Sequence, residues 1–181
     1  NVDVRQMALF GAGWTVGSMA AMAAGGAQSV TYYETTGWRG VMEREDGSPL
    51  PRKFMSLPGG LFPVYHVLAA VAAFAGGQVL AASSGDPAKV TGLALTKGRA
   101  KRVLLANLTA EIQRVEVQGV PGPAKLRTMD ETNAEALMRD PAVLDLKARS
   151  VHGEAPASIT VELLPFAVAW IDAGEQPPEA T

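Results

Sequence analysis

The first 77 residues hold one β-forming run between two long apolar runs, and that imbalance restricts what the chain can fold into. The β run is "SVTYYETTGWRG", Ser29 to Gly40, which opens with β-branched and aromatic residues. Before it lies Met7 to Ala27, uncharged and rich in Ala, Gly and Met; after it comes "LFPVYHVLAAVAAFAGG". One strand alone forms no sheet. The run therefore joins strands later in the chain, or it belongs to a sheet whose other strands lie outside this sequence. Helix, strand, loop, helix is half of an α/β pattern.

The spacing predicts a helix from Val4 to Ala24. Asp3 with Gln6 resembles a capping box at its start, and Gly25-Gly26 stops it. Gly11, Gly13 and Gly17 each weaken such a helix by about 1 kcal/mol relative to Ala, so their use would be close approach to a neighbouring element. The stretch is long enough to span a bilayer. Its glycines and alanines make it only weakly apolar, and a packed, buried helix is the better reading. "GAGWTVG" has glycines like a dinucleotide fingerprint, but no strand precedes it and no acid follows at a second strand end. A second helix is predicted from Leu61 to Phe74, with Pro63 in its first turn and Gly76-Gly77 as its stop. Between them, Gly37 to Gly60 is dense in turn signals, and a loop that long in a compact domain is often a lid or binding loop.

After residue 77 the texture changes. "QVLAASS", "KVTGLALTK", "AKRVLLANL", "IQRVEVQG", "AKLRTMD", "SITVELLP" and "FAVAWID" are short β runs separated by turn residues, with "ETNAEALMRDP" as a helical interruption. About seven strands in this pattern predict an antiparallel β-sandwich. The expected units are residues 1–77, a portion of an α/β barrel; 78–173, the sandwich; and 174–181, a frayed Pro- and Glu-rich tail.

The candidate chemistry lies in the lone strand. There Val30, Tyr32 and Glu34 share one face, and Thr31, Tyr33 and Thr35 the other. As a strand of a (β/α)8 barrel, it would carry Glu34 at its C-terminal end, where such barrels hold their active sites. Tyr32 can hydrogen-bond that carboxylate, Trp38 can offer a sugar ring an apolar platform, and Arg39 can pair with a carboxylate of substrate or protein. Equally, Glu34 can pair with Arg39 or Arg44 and only hold the loop. Paired-carboxylate chemistry needs a second acid, and none is clearly placed.

Charge and composition narrow the alternatives. A formal net charge of −2 with 19% charged residues supplies no basic run for nucleic acid and no attraction to an acidic membrane. No cysteine is present, so thiolate chemistry is excluded. His66 and His152 lie too far apart in sequence for a His-based metal cage, and no metal or cofactor is expected. No signal-peptide pattern opens the chain, which suggests a cytoplasmic protein, although Asn1 is not an initiator Met and a longer parent is expected. His66, inside an apolar helix, reads as a satisfied core residue; His152 reads as an exposed turn. "NLT" at Asn107 fits a glycosylation sequon, which means little without a secretory signal. Asp130, Glu131 and Asn133 look like helix capping rather than a calcium loop.

The order of these pieces, above all "TYYETTGWRG" with "FPVYHVLA", then "VLLANLTAEIQRVEV" and "ITVELLPFAVAWID", resembles the bacterial D-apionate lactonase family. Such proteins look like clan-A glycosidases, with a (β/α)8 barrel followed by a β-sandwich. The resemblance implies that Val4 to Ala24 is the seventh barrel helix, Ser29 to Thr35 the eighth strand and Leu61 to Phe74 the eighth helix. The fold expected is thus α/β plus all-β: the last helix-strand-helix units of a barrel, then an antiparallel sandwich. The function implied is a hydrolase acting on a carbohydrate-derived lactone. Glu34 is then the catalytic candidate, with Tyr32, Trp38 and Arg39 binding a small carbohydrate or sugar-acid substrate. Six or seven barrel strands are missing from this sequence, so the missing barrel portion or another chain is an expected partner. Two readings stand beside it: a glycoside hydrolase of the same architecture, and a non-catalytic carbohydrate-binding or structural sandwich.

Overall fold

The computed structural model of the chain describes residues 2–120, 122–152 and 157–175. It opens with a 3-10 turn, Val4–Met7, and helix α1, Leu9–Ala24. Helix α2 is Pro63–Ala72. The remaining elements are β1 (Gln78–Leu80), β2 (Val90–Lys97), β3 (Ala100–Asn107), β4 (Gln113–Gln118) and β5 (Pro123–Met129), the short helices α3 (Ala134–Arg139) and α4 (Val143–Leu146), then β6 (Arg149–His152), β7 (Ser158–Leu163) and β8 (Val168–Ala173).

Three layers stack. The middle one is a six-stranded sheet in the order β1-β2-β3-β8-β5-β6, antiparallel throughout. One face carries Leu93, Leu95, Leu104, Ala106, Val168 and Trp170 against Ala12 and Val16 of α1 and Val67 and Ala70 of α2. The other face carries Leu105, Leu126, Ala169 and Ile171 against Val117, Ile159, Val161 and Leu163 of the two-stranded sheet β4-β7. The period-two alternation of β-strands sends successive residues to opposite cores. β8 is central and covered on both sides, so all six of its residues are buried, and its sequence reads as a nearly continuous apolar run.

The glycines of α1 do serve close approach. A Cβ on Gly17 would lie 3.1 Å from Thr91 Cγ2 of β2, and one on Gly13 would lie 3.3 Å from Leu108 Cδ2. The helix is shorter than the spacing predicted, because Ala8 is extended and separates it from the 3-10 turn. No capping box forms. Asp3 accepts from the Arg5 backbone N–H at 3.0 Å, while the Gln6 side chain donates to Gly40 O at 2.6 Å.

The largest correction concerns Ser29 to Thr35, which forms no strand ladder among the described residues. Its end turns back on the following loop instead: Glu34 N–H donates to Arg39 O, Thr35 O accepts from Val41 N–H at 3.0 Å, and isolated bridges join Thr36 to Met42 and Met42 to Leu61. The reason is the one the composition posed: a strand is made by its neighbours, and no parallel neighbour is present. Among the described residues eight strands form rather than about seven, since β6 was not legible as a strand; it is short and mostly exposed, at the sheet edge. His152 ends that strand, exposed, rather than sitting in a turn. The tail beyond residue 175 and the stretch 153–156 lie outside the described residues.

Candidate functional site

A third, smaller core supports the loop that follows Thr35. Phe54, Phe62 and Val64 are buried, and Trp38, Tyr33 and Val41 pack against them. Backbone hydrogen bonds fold the loop back on itself: Glu34 N–H donates to Arg39 O at 3.1 Å, and Gly40 N–H to Gly37 O at 2.7 Å. Gly37 has φ +82°, and a Cβ on Gly40 would lie 2.6 Å from Thr35 O, so this tight return requires both glycines. Gln6 ties the far side of the loop to the first turn of the chain through Gly40 O.

This folding brings the four residues singled out in the sequence to one place. Tyr32, Glu34, Trp38 and Arg39 line an open concavity of about 310 Å³, together with Asp3, Gln6 and Tyr33. Glu34 Oε1 lies 3.6 Å from Arg39 Nη1, and each side chain is more than 60% exposed. Arg44 turns elsewhere, to Asp46 at 2.9 Å. A pair this exposed holds the loop weakly, by under about 1 kcal/mol, and both groups stay available to a ligand. Trp38 is half-buried: part of its ring completes the Phe62 core and the rest edges the concavity.

The two tyrosines are anchored to α1. Tyr32 OH lies 3.0 Å from Ser18 Oγ and Tyr33 OH 2.7 Å from Thr15 Oγ1. Thr15 spends its own proton on Gly11 O at 2.8 Å, so Tyr33 donates to Thr15. Burial pushes the Tyr33 phenol up; it remains a neutral hydroxyl. Asp3 is different. Hydrogen bonds from the Arg5 guanidinium, then from its backbone N–H, hold the carboxyl down at about 2. It stays anionic through the working pH range and cannot donate a proton there.

Sequence reasoning missed Asp3 and Gln6 as part of this place, having assigned both to helix capping. It also missed Glu43, which is only 2% exposed, accepts from Arg44 N–H at 2.9 Å and takes the Ser56 hydroxyl on its other oxygen. No local signal marks Glu43, because "EREDGS" reads as a solvated loop. His66 is buried as expected, but it is not fully satisfied: Nε2 has no partner among the described residues. Burial pushes its imidazolium down, partly offset by a backbone hydrogen bond to Leu137. Asn107 is fully buried, donating to Glu111 O and Leu164 O and accepting from Thr109, so the folded chain hides the sequon asparagine. Asp130 and Asn133 are consumed in the turn before α3: Thr132 N–H donates to Asp130 Oδ1, and Asn133 Nδ2 to Thr128 O.

Among the described residues no group of three or more His, Cys, Asp or Glu could hold a metal ion, and no helix is long and apolar enough to cross a membrane.

Comparison with known families places these features. The family model for the D-apionate lactonase TIM barrel domain matches residues 1–76, and that for the D-apionate lactonase C-terminal immunoglobulin-like domain matches residues 87–171. The chain belongs to the D-apionate lactonase family. No curated protein matches it. Among solved structures, a GH30 endoxylanase from Clostridium papyrosolvens C71 superposes with TM-score 0.65 at 12% identity, over 97% of this chain and 40% of that one. The GH39 enzyme from Xanthomonas axonopodis pv. citri superposes with TM-score 0.54 at 15% identity, over 94% of this chain and 42% of that one. These likenesses are of fold. The chain thus spans about two fifths of the structures it resembles. In this D-apionate lactonase family member, the Glu34 concavity lies in the barrel-matching part.

Proposed function

We propose that this chain is the C-terminal part of a hydrolase that opens a carbohydrate-derived lactone, and that Ser29 to Thr35 becomes its eighth barrel strand when the remaining strands are supplied. One observation carries the site assignment: Tyr32, Glu34, Trp38 and Arg39 converge on a single open concavity in a chain of the D-apionate lactonase family. On this reading the rest of the barrel, from a longer polypeptide or another chain, closes the open side.

The chemistry needs a base for water and a stabiliser for the oxyanion. Glu34 takes a proton from water as the water oxygen attacks the lactone carbonyl carbon. The carbonyl oxygen becomes an oxyanion facing the Arg39 guanidinium. Collapse re-forms the carbonyl and breaks the ring C–O bond, and the leaving alkoxide receives the proton from Glu34, giving the open hydroxy acid. Trp38 gives the sugar carbons an apolar surface, while Asp3 and Tyr32 meet the hydroxyls. The glycoside hydrolase alternative needs paired carboxylates, which the rest of the parent chain would have to supply.

The test is to assay a polypeptide with the complete barrel against a sugar-acid lactone and a chromogenic glycoside. Lactone turnover lowered by about 100- to 10,000-fold in Glu34→Gln, with no glycoside cleavage, supports the assignment. Glycoside cleavage, or lactone turnover untouched by Glu34→Gln, overturns it.

A further inference from the structure

The sandwich is unequal: six strands face two. β4 pairs with β7 along its whole length, Gln113 with Leu163 through Gln118 with Ser158, and with nothing on its other side among the described residues. That free edge borders a trough, one part of an open concavity that also runs round to Trp14, Gly17 and Ala21 of α1 and has a full volume of about 1160 Å³. The floor is the inner face of β2 and β3, where Gly92 lies opposite Leu105 and Ala94 opposite Val103. The far wall is the segment 80–87, which leaves β1. β7 does not touch the trough, because it sits over β8 and β5 on the other side of β4.

The chemistry of this space specifies its occupant. The floor is mostly apolar, with Gly92, Ala94, Val103 and Leu105 and with Lys101 at one end, and one wall is a row of backbone donors and acceptors; an extended peptide satisfies both at once. Six residues of β4 offer about 20 Å of edge at roughly 3.3 Å per residue. Packed sheets stand about 10 Å apart, so one added strand at sheet spacing would lie over β2 and β3. Compact ligands would leave the β4 edge unpaired.

We infer that a β-strand from the same polypeptide, outside residues 1–181, adds to the free edge of β4 and fills this trough with alternate apolar side chains. The source follows from length. A (β/α)8 barrel takes about 250 residues, whereas the barrel model matches only 76 of this chain, which covers 40% of the xylanase it superposes on. The inference concerns the sandwich alone and stands apart from the chemistry at Glu34.

Hydrogen exchange tests it, comparing residues 1–181 with the longest natural polypeptide that contains them. Amide exchange in 113–118 slows by roughly 100-fold or more in the longer chain. Val103→Lys, which puts a charge on the trough floor, removes that slowing while leaving the 1–181 chain folded, and Val103→Ile preserves it. Should Val103→Lys fail to fold, the wild-type comparison alone still decides. Equal β4 exchange in both chains overturns the inference. So does protection already present in 1–181, whether it accompanies a dimeric mass or disappears when 176–181 are removed, because a second copy or the chain's own tail would then be the occupant.

Discussion

Two carboxylates in this chain each face arginine, with opposite consequences. Asp172 of β8 has a fully buried side chain held by two guanidinium groups: Arg102 Nε at 2.6 Å and Nη2 at 3.1 Å, and Arg127 Nη1 on its second oxygen. Arg102 also donates to Ala70 O of α2 at 2.9 Å and lies over the Phe74 ring at 5.0 Å. That acid fastens the sandwich to the helical layer, with both oxygens engaged and its side chain out of reach of solvent. Glu34 has one long, exposed contact and a concavity in front of it. Saturation and burial make an acid structural; exposure at the rim of a concavity leaves it free to act.

The comparison is broken most directly at Asp172. Asp172→Ala leaves the largely buried Arg102 with no carboxylate and Arg127 with Asp145 alone, and should cost about 3–5 kcal/mol in urea unfolding; a loss under about 1 kcal/mol would mean that solvent reaches the pair. The next effect is in the loop that carries Trp38 and Arg39. Gly40→Ala drives a Cβ against Thr35 O and should cost about 1–3 kcal/mol, with the Trp38 fluorescence shifted. A pH series sharpens the contrast between buried and open titratable groups. His66 is held below the ordinary histidine value of 6.5 by burial, so the unfolded chain binds a proton that the folded chain refuses. Stability is therefore full above about pH 6.5 and falls as the pH drops below it, by at most about 1.4 kcal/mol per pH unit. His66→Phe should flatten that slope. The smallest effect belongs to the open acid: Glu34→Gln should move stability by less than about 0.5 kcal/mol, in the same urea assay that registers Asp172→Ala.

What could be read from the chain beforehand follows the reach of each interaction. β2 alternates in the sequence and pairs with β3 through a short turn at Gly98, φ +59°, so neighbours in sequence decided them. Gly13 and Gly17 announced close packing without naming Thr91 or Leu108 as the neighbours. The grouping of Tyr32, Glu34, Trp38 and Arg39 was legible because all four come from one turn of chain. Asp172 with Arg102, 70 residues apart, was not, since nothing local distinguishes a buried, paired acid in "AWID" from an exposed one. Gln6 reaching Gly40 across 34 residues was hidden by a plausible local role at a helix start. Ser29 to Thr35 was assigned from composition, and composition gives a strand's character without supplying its neighbours.

The most direct test of the Glu34 concavity is a crystal structure of the barrel-complete polypeptide with a sugar-acid product bound. The product carboxylate should accept from the Arg39 guanidinium, with a product hydroxyl donating to Glu34 and the carbon chain against Trp38. A product seated elsewhere in the barrel, out of reach of both, would contradict the assignment.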